Sequence, residues 1–192
     1  GVDVARFGDN FTVIYPRLGW DARSFPYRAF LGLDTNQVVE KVIECIQDFH
    51  KIGKKCSGLF IDVGYNPGVV DNLNRLGYSP IPIDFGARAA NQRYRFRGGE
   101  IWGKMRDGLA FLCLPNDDTL SSQLTQREYD FTDLGKIQLE SKKQIKRRGG
   151  KSPDIADALA LTFASDVADS MAFDSAAARY AVSDYDPYKE IA

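Results

Sequence analysis

Four aspartates carry the chemistry that this sequence offers: Asp3, Asp62, Asp154 and Asp157. Asp3 stands between Val2 and Val4, so in a strand its carboxylate points away from the valines, toward a sheet edge or face where it must be solvated or paired. Asp62 closes the apolar run Leu59-Phe60-Ile61 and so falls at the C-terminal edge of a buried strand, where α/β sheets usually place their sites. Asp154 and Asp157 follow Ser152-Pro153, a helix-start signature, and their spacing puts both on one face near the positive helix N-terminus. Each acid has a plainer role available when taken alone, as strand-end acid, turn former or dipole partner. Together they suggest a site of hard oxygen donors, which suits Mg2+ or Mn2+ rather than zinc. Two such ions about 3.5–4 Å apart can activate a water and stabilise the leaving oxygen of an in-line phosphodiester attack.

The elements that must position these acids follow from the apolar pattern. Gly1 to Ala5, Phe11 to Tyr15 and Phe25 to Leu33 read as three strands joined by short turns, an antiparallel meander. Thr35 is expected to cap a helix carrying Val38, Val42, Ile46 and Phe49 at three- and four-residue steps, with Gly53 ending it. Cys56 to Val63 reads as a buried parallel strand, a helix follows from about Pro67, and Ser79 to Phe85 reads as a strand whose two prolines place it near an edge. Residues 86 to 99 read as a loop and Ile101 to Leu112 as a helix. Tyr129 to Thr132 and Ile137 to Leu139 are short strands about a turn at Gly135, and 141 to 151 reads as a basic loop or fraying turn. The last helix is expected from Ser152, as N-cap, to about Ala172. Residues 1–172 then form one domain, followed by a polar tail, 173–192. The fold class is α/β, with a mixed central sheet (a three-strand meander plus parallel strands) flanked by helices. That order is the RNase H-like arrangement.

Composition narrows the partners. The chain has 192 residues, 44% hydrophobic and 27% charged, the balance of a globular protein with a full core. No apolar run approaches the roughly 20 residues of a membrane span, and no leader pattern opens the chain. Cys45, Cys56 and Cys113, odd in number and widely spaced, read as reduced core residues, and the one histidine, His50, as an ordinary helix residue. Net charge is −1, yet basic residues gather in two stretches. One holds Arg88, Arg93, Arg95, Arg97, Lys104 and Arg106. The other holds Lys136, Lys142, Lys143, Lys146, Arg147, Arg148 and Lys151. Such a distribution suits a protein that grips a phosphate backbone on one face. Arg6, Arg93, Arg95, Lys142, Lys143, Lys146 and Arg147 are the candidate DNA contacts. Tyr94, Phe96 and Trp102, set among arginines, suit either DNA or packing, and Glu100 is an additional acid or a helix-start residue.

Three segments also resemble a known family. Gly1 to Val13, the stretch from Leu59 to Asp71, and Ser152-Pro153-Asp154-Ile155-Ala156-Asp157-Ala158-Leu159-Ala160 resemble the acidic motifs of nuclease domains from viral terminase large subunits, as in tailed bacteriophages. The last is also close to the final motif of RuvC-type junction resolvases, whose usual glutamate in the second motif is replaced here by Asp62. The resemblance implies metal ligands at Asp3, Asp62 and Asp157, with Asp154 a neighbouring ligand or metal-adjusting acid. It implies a Mg2+- or Mn2+-dependent endonuclease, with two ions, that cuts concatemeric double-stranded DNA during genome packaging in the cytoplasm of the infected host cell. Implied partners are double-stranded DNA, an N-terminal ATPase motor domain, a portal protein and a small terminase subunit. Gly149-Gly150-Lys151-Ser152 does not complete a phosphate-binding loop, since Ile145 stands where its first glycine belongs, and an excised domain is expected. A junction resolvase and a catalytically silent module that docks DNA or portal remain the alternatives.

Overall fold

In the computed structural model of the chain, residues 1–5, 10–64 and 67–167 are described. The tail expected from residue 173 lies outside them. A five-stranded sheet holds β1 (Val2–Asp3), β2 (Thr12–Ile14), β3 (Arg28–Phe30), β4 (Phe60–Asp62) and β5 (Ile81–Ile83) in the order β3-β2-β1-β4-β5. β1 to β3 pair antiparallel, and β4 and β5 extend the sheet in parallel from β1. The expected meander and parallel strands are both present, and β5, with Pro82, is an edge.

Side-chain alternation divides the sheet into two faces. Val2, Val4, Ile14 and Ile61 turn to a cluster shared with α1 (Thr35–Lys51) and α2 (Gly68–Arg75). Val13, Phe60 and Ile83 turn to the opposite cluster, built with α3 (Arg97–Gly108), α4 (Asp118–Gln126) and α6 (Asp154–Leu161). α1 starts one residue before the cap expected from sequence: Asp34 accepts from Gln37 N while Gln37 reaches back to Asp34 N, a reciprocal capping box that leaves Thr35 as the first helical residue.

Other boundaries also move. β4 begins only at Phe60, so Cys56 ahead of it is exposed rather than buried, while Cys45 lies in the core. α3 takes in residues 97–99, read from sequence as loop, because Gly98 and Gly99 sit buried against Phe85 and Tyr94. Further along α3, Gly103 admits the Tyr94 ring so closely that a Cβ there would lie 2.1 Å from its hydroxyl oxygen. α4 was not expected, since Leu120 is its one buried residue. The basic stretch folds as α5 (Lys142–Arg147) rather than a loop, capped reciprocally by Ser141 and Gln144 and seated on buried Ile145. β6 (Tyr129–Phe131) and β7 (Ile137–Leu139) form a separate hairpin turning at Gly135, whose φ is 70°.

α6 stops at Leu161 instead of running to Ala172, because Arg17 takes its end. Arg17 donates from Nη2 to Thr162 O (2.7 Å) and from Nε to Thr162 Oγ1 (2.8 Å), and its guanidinium lies over Phe163.

Candidate metal centre

β1 and β4 are parallel neighbours, with Val2 opposite Ile61. Alternation then sends Asp3 and Asp62 to the face that carries Val13 and Phe60, the face on which α6 packs. α6 presents Asp154 and Asp157 in its first turn. Pro153, not Ser152, holds the N-cap position, and it brings no capping side chain. The orphan amides of Ile155 and Ala156 are instead satisfied by one acceptor from α4, Gln123 Oε1, at 2.9 and 3.0 Å. Ser152 turns its hydroxyl onto Asp154 Oδ1 (2.5 Å), and the Phe11 amide donates to Asp154 Oδ2 (3.0 Å).

Lys142, the first residue of α5, gathers the acids. Its ammonium lies 2.8 Å from Asp3 Oδ2, 3.0 Å from Asp154 Oδ1 and 3.3 Å from Asp157 Oδ2. Burial works against that charge, but Asp3, Asp157 and Asp154 outweigh it and hold the lysine well above its usual range. Asp3, buried, is pushed up to about 8: desolvation raises it more than Lys142 lowers it, and the charges of Asp157, Asp154 and Asp62 add to the rise. Asp62 is raised too, by burial first; Gly64 N donates to it, and it feels Lys142 and Asp157 through space. Asp157 behaves oppositely. Burial pulls it upward, yet Arg127, Lys142 and the Trp102 N–H together hold it below the usual carboxylate range.

Three of the four predicted acids therefore meet at one ammonium, and the fourth shares their field. Asp157 Oδ2 is buried without a hydrogen bond, its 3.3 Å approach to Lys142 lacking the geometry of one. A buried carboxylate oxygen that meets a lysine ammonium, set among other carboxylates, fits a hard divalent cation in donor chemistry. The spacing is another matter: among the described residues, no three acidic, histidine or cysteine side chains are close enough to hold one ion as they stand. Lys142 is the cation that now fills their midst.

The remaining candidates are placed as follows. Arg6 lies outside the described residues. Lys142, proposed from sequence as a DNA contact, has its ammonium inside the acid cluster. Lys143, Lys146 and Arg147 are exposed on the same short helix, with Lys146 bonded to Asn10. Arg93 and Arg95 run beside β7, where the backbone of 93–95 pairs with Ile137 and Arg95 reaches Gln138, so they border the hairpin rather than the acids. Glu100 is buried in the first turn of α3 and accepts from Ala90 N (2.9 Å), tying down the preceding loop. Tyr94 is buried, and Phe96, with Arg95 stacked over it, is exposed. His50 is exposed near the end of α1. Trp102 packs in the core, but its Nε1–H reaches Asp157 Oδ1 at 2.8 Å. That hydrogen bond, the Arg127 ion pair and the Gln123 cap were not foreseen from sequence. The tryptophan was visible among the arginines, whereas Gln123 and Arg127 sit in and just after a helix that the pattern did not reveal.

No family model matches the chain, and no curated protein matches it by sequence. Solved structures do match. A variant of gp2c, from the large terminase subunit of bacteriophage Sf6 with calcium, aligns over 86% of both chains at 17% identity with a TM-score of 0.66. A variant nuclease domain of the Sf6 large terminase subunit gp2 with manganese and beta-thujaplicinol gives 0.64 at 17% identity over 87% of each chain. The large terminase nuclease from thermophilic phage G20c gives 0.57 at 15% identity, over 85% of this chain and 78% of that one. The chain thus has the mixed, helix-flanked sheet of phage large terminase nuclease domains, which is the RNase H-like fold.

Proposed function

We propose that this domain is a Mg2+- or Mn2+-dependent endonuclease that cuts concatemeric double-stranded viral DNA during genome packaging. One observation carries the reading: β1 and α6, far apart in sequence, bring Asp3, Asp154 and Asp157 to a single ammonium, and β4 adds Asp62 on the same face within their field. The same fold serves as a nuclease in the Sf6 and G20c proteins, and Sf6 nuclease structures were solved with manganese. Asp3, Asp62 and Asp157 would hold the ions, with Asp154 beside them. A pair of divalent ions supplies an activated water and a stabilised leaving oxygen for in-line phosphodiester hydrolysis.

The protein's own groups set the conditions. Asp157 enters as an anion because Arg127 and Trp102 keep it so. Asp3 is poised to lose its proton only as a compensating cation arrives, since burial otherwise favours its neutral form. Lys142 must give up its central place to a divalent ion, after which its ammonium is free to meet a phosphate. Lys143, Lys146 and Arg147 extend that positive edge along α5, and Arg93 and Arg95 would add to it along the hairpin. Two ions, a motor domain, a portal protein, a small terminase subunit and action in the infected host's cytoplasm complete the same proposal.

The test is direct. The purified domain nicks or linearises plasmid with Mn2+ or Mg2+, and Asp62→Asn abolishes it; full cleavage in EDTA would remove the metal mechanism. One observation favours a second reading, a silent module that only docks: Lys142 already neutralises the acids, and no ready-made ion cluster stands among the described residues. Calorimetry with Mn2+ separates the two, because a silent module gives no binding heat.

A further inference from the structure

The buried pair beside α6 has a geometry that a merely structural ion pair does not need. Arg127 Nη1 donates to Asp157 Oδ1 at 2.5 Å, and Trp102 Nε1 donates to the same oxygen at 2.8 Å. The arginine side chain is 8% exposed and the aspartate 1%. Arginine and carboxylate frequently pair as a two-pronged fork, with one N–H to each oxygen. Here both donors converge on Oδ1, and Oδ2 has no hydrogen bond although it is buried. That oxygen instead faces the Lys142 ammonium, 3.3 Å away, in the midst of the acids.

Arg127 is itself held on three sides. Its guanidinium carbon lies 4.7 Å from the centroid of the Trp102 ring, its Nε donates to Glu140 O at 3.3 Å, and its Nη1 meets Asp157. Trp102 comes from α3, Arg127 from the link between α4 and β6, and Asp157 from α6. Three elements thus fix the rotation of one carboxylate.

We propose that Arg127 and Trp102 are positioning residues, which lock Asp157 through Oδ1 so that Oδ2 alone is aimed at the divalent cation. The inference rests on the nuclease reading and deepens it. Both residues would act through Asp157 rather than on the ion itself. Arg127 holds Asp157 from the side of Oδ1, which leaves Oδ2 toward Lys142. Outer partners that orient a ligand in this way typically change metal affinity about 10- to 100-fold when removed.

The experiment follows Mn2+ binding by calorimetry, melting in EDTA and plasmid nicking for the unaltered chain, Trp102→Phe, Arg127→Lys and Arg127→Met. Trp102→Phe keeps an aromatic ring under the guanidinium and removes only the N–H donor. The expected result is a Mn2+ affinity about 10- to 100-fold weaker in Trp102→Phe, with nicking reduced in step. Arg127→Met should lose as much or more, and Arg127→Lys should recover part of the loss. A structural role alone gives the opposite signature, a lower melting temperature in EDTA with unaltered Mn2+ affinity, and that overturns the proposal. If Arg127→Met does not fold, Trp102→Phe decides alone. If the unaltered chain neither binds Mn2+ nor cuts DNA, the nuclease reading fails and this inference falls with it; unaltered binding with indifferent variants sinks the inference and leaves the nuclease standing.

Discussion

Lys142 is the side chain on which the electrostatics of the acid cluster turn, since it balances three carboxylates with one charge. Lys142→Ala should therefore do two opposite things: lower the melting temperature in EDTA, by exposing the acids to mutual repulsion, and tighten Mn2+ binding, by removing the competing cation. A calorimetric titration showing unchanged or weaker affinity would count against that account. Asp3 makes a pH prediction. Its folded value is raised from 3.8 to about 8, so the proton it carries stabilises the folded chain fully below pH ~4, and this contribution is lost as pH rises through about 8. Asp62, also raised, acts in the same direction. Asp157, held low, matters only below its unfolded value, and Lys142, held high, only above its own. Without divalent ions, melting temperature should thus fall between pH 4 and 8, and Asp3→Asn should flatten the fall; equal slopes would refute the assignment. The acids could be read from sequence because valines flank Asp3 and an apolar run ends at Asp62. The place of Lys142 among them, beyond its reading as a DNA contact, and the part of Arg127 could not, because a basic run and an isolated arginine look like solvated surface until the chain folds.

At the scale of elements, the site depends on a helix whose start is not self-sufficient. α6 opens on Pro153 without a capping side chain, and Gln123 of α4 supplies the acceptor from a distance in sequence. Gln123→Leu should cost about 1 kcal/mol, within the 0.5–2 typical of removing an N-cap. It should also loosen the turn that carries Asp154 and Asp157; urea unfolding that shows no destabilisation would contradict this. The three-strand meander and the parallel strands were plain in the sequence, because period-two alternation and continuous apolar runs are strong signals there. α4 was not, with Leu120 its one buried residue. α5 was hidden by its charge: a six-residue helix held by a Ser141–Gln144 box and one apolar anchor, Ile145, has almost no periodicity to show. The end of α6 was overestimated because its apolar run continues to Phe163, while the residue that stops it, Arg17, lies on the far side of the sequence.

For the molecule as a whole, a net charge of −1 conceals a division of labour: acids are gathered inside around Lys142, while Lys143, Lys146 and Arg147 stand exposed beside them. If α5 lies along the DNA backbone, Lys143→Ala with Arg147→Ala should weaken duplex binding alike for all sequences. It should also reduce the steepness of the salt dependence by about 2, near 0.9 for each phosphate no longer neutralised. An unaltered slope in a filter-binding titration would move the DNA track elsewhere. The two faces of the sheet share the tasks, α1 and α2 closing one core, and α3, α4 and α6 closing the other and carrying the acids. Everything proposed about chemistry comes down to whether those acids hold divalent ions. Anomalous diffraction from a manganese-soaked crystal answers that most directly. Manganese peaks bonded to Asp3, Asp62 and Asp157 Oδ2 are expected, with the Lys142 ammonium displaced. A saturating soak that leaves Lys142 seated among the acids, with no manganese beside them, would contradict the metal mechanism.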